Sequence, residues 1–201
     1  MIFYFLICFF LGSIPTAYLV AKTKGIDIKK VGSGNSGATN VLRSVGASHG
    51  FVVMVIDILK GFLAVYFAKY FELNNGNFNQ FQMSALGGFA AIIAHIYTPF
   101  LKFNGGKGVA TSIGIYMLIS PLSCLGGVLS AVILIYFTKK ASIGTLIGLI
   151  TLPIFCLIFE RLNPEFYFIL KFMCANILLV LYTHRENLKR ILKGEELGLK
   201  K

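Results

Sequence analysis

Apolar stretches long enough to cross a bilayer recur along this chain with only short polar breaks between them. In lipid, backbone groups find no water, so continuous apolar segments of this length must satisfy their own hydrogen bonds as helices. Such spans are expected near 1–21, 50–71, 81–99, 111–120, 122–137, 143–160 and 165–183. The expected fold is therefore all-α, a polytopic membrane protein with seven transmembrane helices. No internal repeat or linker divides the chain, which reads as one domain over 1–201.

The composition agrees: 56% of residues are apolar, only 13% are charged, and the mean hydropathy is +0.77. A net charge of +11 could point to nucleic acid. The basic residues, however, cluster in loops between spans, which is the signature of membrane sidedness. Fifteen of the nineteen Lys and Arg residues fall in 22–49, 100–110, 138–142 and the tail from His184, whereas the opposite turns hold only Arg161. The positive-inside rule then places the N-terminus outside and the C-terminus in the cytoplasm. The first segment has no basic residue before Lys22, so it reads as a retained span rather than a signal peptide. Cys8, Cys124, Cys156 and Cys174 all lie in apolar segments without metal-ligand spacing, so they read as small hydrophobes, and no metal site is expected.

The span at 111–120 is short. Its ten residues reach about 15 Å against a hydrocarbon core of roughly 30 Å. Either it forms a broken pair with the next helix, or the preceding glycine loop dips into the membrane. Both arrangements recess that loop in a pocket open to the cytoplasm.

Three polar patches fall on the basic side. The first runs Val31-Gly32-Ser33-Gly34-Asn35-Ser36-Gly37-Ala38-Thr39-Asn40-Val41-Leu42-Arg43. It reads as a glycine-rich loop entering a short helix, with Asn35 or Ser36 as N-cap, where an anion would meet N–H groups, the Thr39 hydroxyl and Arg43. The second, Phe103-Asn104-Gly105-Gly106-Lys107-Gly108-Val109-Ala110-Thr111, offers backbone amides flanked by Lys102 and Lys107. It is not a Walker motif, because Leu101 and Gly108 stand where that motif needs Gly and Ser or Thr. The third, His184-Arg185-Glu186-Asn187-Leu188-Lys189-Arg190, follows the last span, with His184, Arg185 and Asn187 as its functional candidates. Lys193, Lys200 and Lys201 read instead as a basic tail on lipid headgroups. Within the spans, Asp57 and Lys60 share a helix face, as a functional or mutually neutralising pair, and His95 suits either packing or a site. Ser142 adds a hydroxyl at the start of the sixth span.

The first patch, the Asp57…Lys60-Gly61 pair, the Phe103–Thr111 segment, the final His184–Glu196 run, Gly12-Ser13-Ile14-Pro15 and Ser142 together resemble the bacterial acyl-phosphate-dependent glycerol-3-phosphate acyltransferases. The resemblance extends from the first span to the tail. It implies an inner-membrane enzyme that moves a fatty acyl group from acyl phosphate to the 1-hydroxyl of glycerol 3-phosphate, releasing lysophosphatidic acid and phosphate without cofactor or metal. Partners so implied are the two substrates, membrane lipid and an upstream enzyme that forms acyl phosphate, with no nucleic acid. The catalytic candidates are His184, Ser142 and Asn187. The substrate-binding candidates are Ser33, Gly34, Asn35, Gly37, Thr39, Asn40, Arg43, Lys102, Gly105, Gly106, Lys107, Gly108 and Arg185. Two positions depart from the family pattern: Asn104, where Lys is common, and Lys139-Lys140-Ala141, where an aromatic is common.

An acyl phosphate is already activated, so no covalent intermediate is needed. The glycine-loop amides suit its phosphate, and the cations suit the glycerol-phosphate dianion. The hydroxyl proton is expected to pass to a substrate phosphate, with His184 positioning rather than acting as base. The rival function, a transporter or channel for an organic phosphate, would share cationic pockets and broken helices. It is disfavoured because intramembrane polar residues do not continue to the outer face. A thioester acyltransferase with a His-x4-Asp dyad is excluded, since Met54, Phe100 and Lys189 follow the three histidines at that spacing.

Overall fold

The structure is a computed structural model describing residues 1–74 and 76–199. Among these residues there are helices and turns but no strand. Six segments are long and apolar enough to cross a membrane: Ile2–Lys22, Ala47–Tyr70, Gln80–Leu101, Pro121–Thr138, Ala141–Phe159 and Phe166–Thr183. The contacts gather into two compact units, Met1–Leu118 and Ile119–Lys201, within what the sequence reads as one domain.

The first unit holds α1 (Ile2–Ser13), α2 (Thr16–Lys22), α3 (Ala38–Ser44), α4 (Ala47–Tyr66), α5 (Gln80–Ile96) and α6 (Val109–Ile119), with 3-10 turns at Phe67–Tyr70 and Pro99–Leu101. The expected first span is broken between α1 and α2. Pro15 has no N–H to continue the ladder, and Ile14 before it is extended (φ −55°, ψ 118°). The carbonyls at the break find side chains instead: Thr98 Oγ1 donates to Ser13 O at 2.6 Å, and Lys60 Nζ donates to Ile14 O. The start of α5 carries a reciprocal cap, with Asn79 accepting from Gln82 N and Gln82 accepting from Asn79 N.

Two buried clusters fill this unit. Tyr4, Cys8, Ala64, Met83 and Ala91 pack α1 against α4 and α5, and the Tyr4 hydroxyl donates to Ala64 O at 2.8 Å. Ala17, Ala21, Ile28, Val41 and Val53 form the second cluster, which lies beneath the first polar patch. Helices α4 and α6 approach closely on small residues: a β-carbon on Gly61 would fall 1.9 Å from Thr111 O, and one on Gly114 1.9 Å from Ile58 O. Helix α6 has 11 residues, about 16 Å of rise, so it is short of a full span as its sequence implies.

The second unit holds α7 (Pro121–Thr138), α8 (Ala141–Phe159), α9 (Phe166–Thr183) and α10 (Arg185–Leu192). Lys139 turns the chain between α7 and α8 with a left-handed backbone (φ 56°). The two helices meet at Gly127 and Gly148, where a β-carbon on either would stand under 3 Å from the other's carbonyl oxygen. Leu125, Leu129, Val132, Ile133, Ile150, Ile154 and Leu157 are exposed, which suits a lipid-facing surface. Glu160 ties the far ends of this unit, accepting from Ser120 Oγ at 3.0 Å and from Asn163 Nδ2 at 2.9 Å.

Candidate functional site

The first patch is a loop wound around one side chain. Asn40, 2% exposed, donates through Nδ2 to the carbonyls of Ile28, Val31 and Asn35 at 3.0–3.1 Å, and its Oδ1 accepts from Ser33 N at 2.9 Å. Gly32 makes this winding possible. Its φ is +58°, and a β-carbon there would lie 2.2 Å from Asn40 Oδ1. The helix expected to begin at Asn35 or Ser36 begins one turn's fraction later, with Gly37 as N-cap and Ala38 as first residue. The displacement has a cause: the Asn35 carbonyl is already engaged by Asn40, which keeps that stretch out of the helix. Ser33, Gly34, Asn35, Gly37, Thr39 and Arg43 are half-buried, so the patch presents its side chains at a partly open surface. The Ser36 hydroxyl is buried without a hydrogen-bond partner.

The second patch leaves α5 through the Pro99–Leu101 turn and reverses at Lys102 and Phe103, both left-handed (φ 51° and 61°). Two such residues in a row cost on the order of 1–3 kcal/mol each, and strain of this kind is common at binding loops. The amides of Gly105 and Gly106, expected to face a ligand, are instead spent within the fold. They donate to Ile96 O at 2.8 Å and His95 O at 3.1 Å, satisfying carbonyls that the end of α5 would otherwise leave open. Both glycines are buried, whereas Lys102 is exposed and Lys107 half-buried.

The structure brings these two patches together. Lys29 Nζ, just before the first, donates to the carbonyl of Asn104 in the second at 3.1 Å. Burial lowers the Lys29 pKa and the charge of Asp27 opposes that shift. Sequence reasoning passed over Lys29, which carries no motif. Asp57, Lys60 and His95 lie in the same unit, with Lys60 Nζ 2.7 Å from Asp57 Oδ1.

The third patch assembles around a carboxylate, Glu196, to which sequence reasoning gave no role of its own. Helix α10 ends at Leu192, and Gly194 (φ +74°) turns the chain back so that Glu196 becomes 5% exposed. Glu196 Oε1 accepts from Ser142 Oγ at 2.7 Å and from Asn187 Nδ2 at 2.8 Å, while Oε2 accepts from Arg190 Nε at 3.0 Å. Burial pushes this carboxyl up, but the bonds from Ser142 and Asn187 and the charge of Arg190 outweigh it and hold the pKa below the ordinary value. Spacing could have flagged Glu196, since a glycine two residues earlier permits such a reversal. Two of the three catalytic candidates, Ser142 and Asn187, thus share one partner.

The third, His184, is 4% exposed, and its Nδ1 lies 2.9 Å from Val180 O. A carbonyl can only accept, so Nδ1 carries a proton and donates it to Val180 O. Arg185 is exposed and stacks over Tyr182, its guanidinium carbon 4.6 Å from the ring centroid. Glu186 is held below the ordinary carboxylate range chiefly by its bond from Lys189. No cluster of His, Cys, Asp or Glu fit to hold a metal occurs among the described residues. Lys200 and Lys201, expected to rest on headgroups, lie outside the described residues.

Helices of membrane-spanning length joined by polar, cation-bearing loops mark a multi-pass integral-membrane protein. The glycerol-3-phosphate acyltransferase family model matches residues 2–194, and the chain belongs to that family. Among its relatives, the glycerol-3-phosphate acyltransferase of Endomicrobium trichonymphae is 40% identical, with 97% of this chain and 94% of the relative aligned. The enzyme of Thermoanaerobacter sp. (strain X514) is also 40% identical, with 95% and 91% aligned. The fold is similar to that of PlsY, described as an integral membrane glycerol 3-phosphate acyltransferase and solved in a glycerol 3-phosphate form. That similarity has a TM-score of 0.86 at 33% identity and covers 98% of this chain and 94% of PlsY. The lysophosphatidic acid form of PlsY gives a TM-score of 0.84 at 32% identity, with the same coverage.

Proposed function

We propose that this acyltransferase moves a fatty acyl group from acyl phosphate to the 1-hydroxyl of glycerol 3-phosphate, yielding lysophosphatidic acid and phosphate. The observation that carries the reading is the junction of two cation-bearing glycine loops in the first unit, fastened by Lys29 to Asn104. The donor anhydride is activated already, so the protein's task is to hold phosphates, exclude water and stabilise developing charge. With so many loop amides spent internally, side chains do the binding. In the first unit Arg43, Lys107 and Lys102 neutralise phosphate charge, and Ser33, Asn35 and Thr39 supply polar contacts. In the second unit, His184, Ser142 and Asn187 contribute catalytic groups, with Glu196 fixing the orientation of the last two.

The hydroxyl proton passes to a substrate phosphate oxygen while His184 positions the acceptor. Seven crossings, with α6 and its loop completing the short one, would put the termini on opposite sides, and the bias of basic residues favours the N-terminus outside and the polar loops in the cytoplasm of a bacterial cell, supplied by an enzyme that forms acyl phosphate. Purified protein given acyl phosphate is expected to release inorganic phosphate only when glycerol 3-phosphate is present. Phosphate release at the same rate without the acceptor, or none with it, removes this assignment.

A further inference from the structure

Three buried ionisable side chains in the first unit have no role in the transfer as assigned above. Asp57 and Lys60 are each 2% exposed and His95 is 8% exposed. Ionised groups at such depth are costly to bury, and an apolar helix needs none of them to cross lipid. Their destinations explain their presence. Lys60 Nζ donates to Asp57 Oδ1 at 2.7 Å and reaches the Ile14 carbonyl at the α1–α2 break. His95 Nδ1 stands 3.8 Å from the same Asp57 oxygen.

The other side of the His95 ring abuts the glycine loop. A β-carbon on Gly106 would fall 2.1 Å from His95 Nε2, and one on Gly105 would fall 2.0 Å from His95 O. The Gly106 amide donates to that same carbonyl at 3.1 Å. Thr98, three residues on, fastens this end of α5 to Ser13 O at 2.6 Å. A chain of contacts therefore runs from the helix break through Lys60, Asp57 and His95 to the residue preceding Lys107, ionic as far as the ring and close packing beyond it.

We propose that Asp57, Lys60 and His95 are positioning residues for the glycine loop. The ion pair fixes the His95 ring against α4, and the ring and carbonyl of His95 together fix Gly105 and Gly106. Lys107 is thereby held at the place where it meets substrate phosphate. This rests on the reading of that loop as a phosphate site, but its mechanical half does not.

The test uses full-length protein in detergent, with Asp57→Asn and His95→Ala. If either fails to fold, the double variant Asp57→Asn/Lys60→Met replaces it, since it leaves no unpaired buried charge. Trypsin cleavage at Lys102 and Lys107 is followed against cleavage at Lys189 and Lys193 as internal reference. Loop cleavage is expected to accelerate about fivefold or more in the variants, with the reference sites unchanged. Steady-state assays are expected to show the KM for at least one phosphate substrate rising about tenfold, while kcat falls less than threefold.

A double-mutant cycle separates positioning from general damage. If His95 acts through the loop, His95→Ala/Lys107→Ala loses little beyond Lys107→Ala alone. Loop cleavage at the wild-type rate, or fully additive losses in the cycle, overturns the proposal. A wild-type protein inert toward acyl phosphate and glycerol 3-phosphate would instead overturn the functional reading, and the cleavage assay would still decide the role of these residues.

Discussion

Asn40 and Glu196 each hold a loop from within, one with a neutral amide and the other with a charge. The Asn40 carboxamide fills its hydrogen-bond capacity inside the first patch, so Asn40→Ala removes four contacts at once. Glu196 is the acceptor for Ser142, Asn187 and Arg190, and Glu196→Ala strands three buried or half-buried donors. That substitution is expected to cost about 3 kcal/mol, read as a lower Tm in detergent. The pH dependence follows from the lowered pKa of Glu196. Its stabilising contribution is complete above the ordinary value of 4.5 and is lost as pH falls from there through the folded-state value. The Tm advantage of wild type over Glu196→Gln should therefore shrink below pH 4.5 and stay level above it. A difference that grows on acidification would contradict the assignment.

Also at this scale, Arg43→Ala and Lys107→Ala are expected to lower kcat/KM about a hundredfold, on the order of 2–3 kcal/mol for a lost charge-assisted contact. Lys193→Ala, on the exposed end of α10, should leave turnover near wild type. Equal losses in all three would mean that the basic residues act through general attraction to the membrane. His184→Gln should lose activity through misplacement while both limbs of the pH–rate profile of kcat/KM persist. Disappearance of a single limb in that variant would make His184 the general base.

Among the elements, the loop between α5 and α6 shows what sequence can and cannot reveal. Its glycines, its two lysines and the shortness of α6 are all visible in the chain, and the structure keeps each of them. What sequence could not show is that the amides of Gly105 and Gly106 would be claimed by the end of α5, because that depends on where the preceding helix stops. The same holds for Glu196. A basic, amphipathic run reads naturally as a surface tail until Gly194 folds the next carboxylate back onto Ser142. By contrast, the Asp57–Lys60 pair was legible, since three-residue spacing on a helix leaves little choice of geometry. Gly106→Ala tests the loop as an element. With His95 Nε2 2.1 Å from the new methyl carbon, the loop must move, and the KM for a phosphate substrate should rise about tenfold with the protein still folded. Unchanged kinetics would show that the register of this loop is irrelevant to binding.

At the scale of the whole molecule, the alternation of long apolar stretches with short polar breaks carried the helices, because lipid permits so few backbone arrangements. All seven expected helical regions occur, six of them at spanning length, and the first, expected as one continuous span, is broken at Pro15. Sidedness is testable by thiol labelling of intact cells after removal of the native cysteines, of which Cys174 is exposed. Lys30→Cys and Asn104→Cys, at exposed positions on the basic side, should resist an impermeant reagent, whereas Glu72→Cys should react. Labelling of Lys30→Cys from outside would invert the topology.

The bond from Ser142 to Glu196 also has a consequence for how the chain is made. The two residues are 54 apart, so Ser142 leaves the ribosome well before its carboxylate partner is synthesised. Until that carboxylate emerges, the hydroxyl at the start of α8 lacks this acceptor. The arrangement around Ser142 and Asn187 is therefore a late event in biogenesis, closed by a reversal at Gly194 after the helices are in place. A chain truncated just before Glu196 would leave Ser142 and Asn187 without their common anchor.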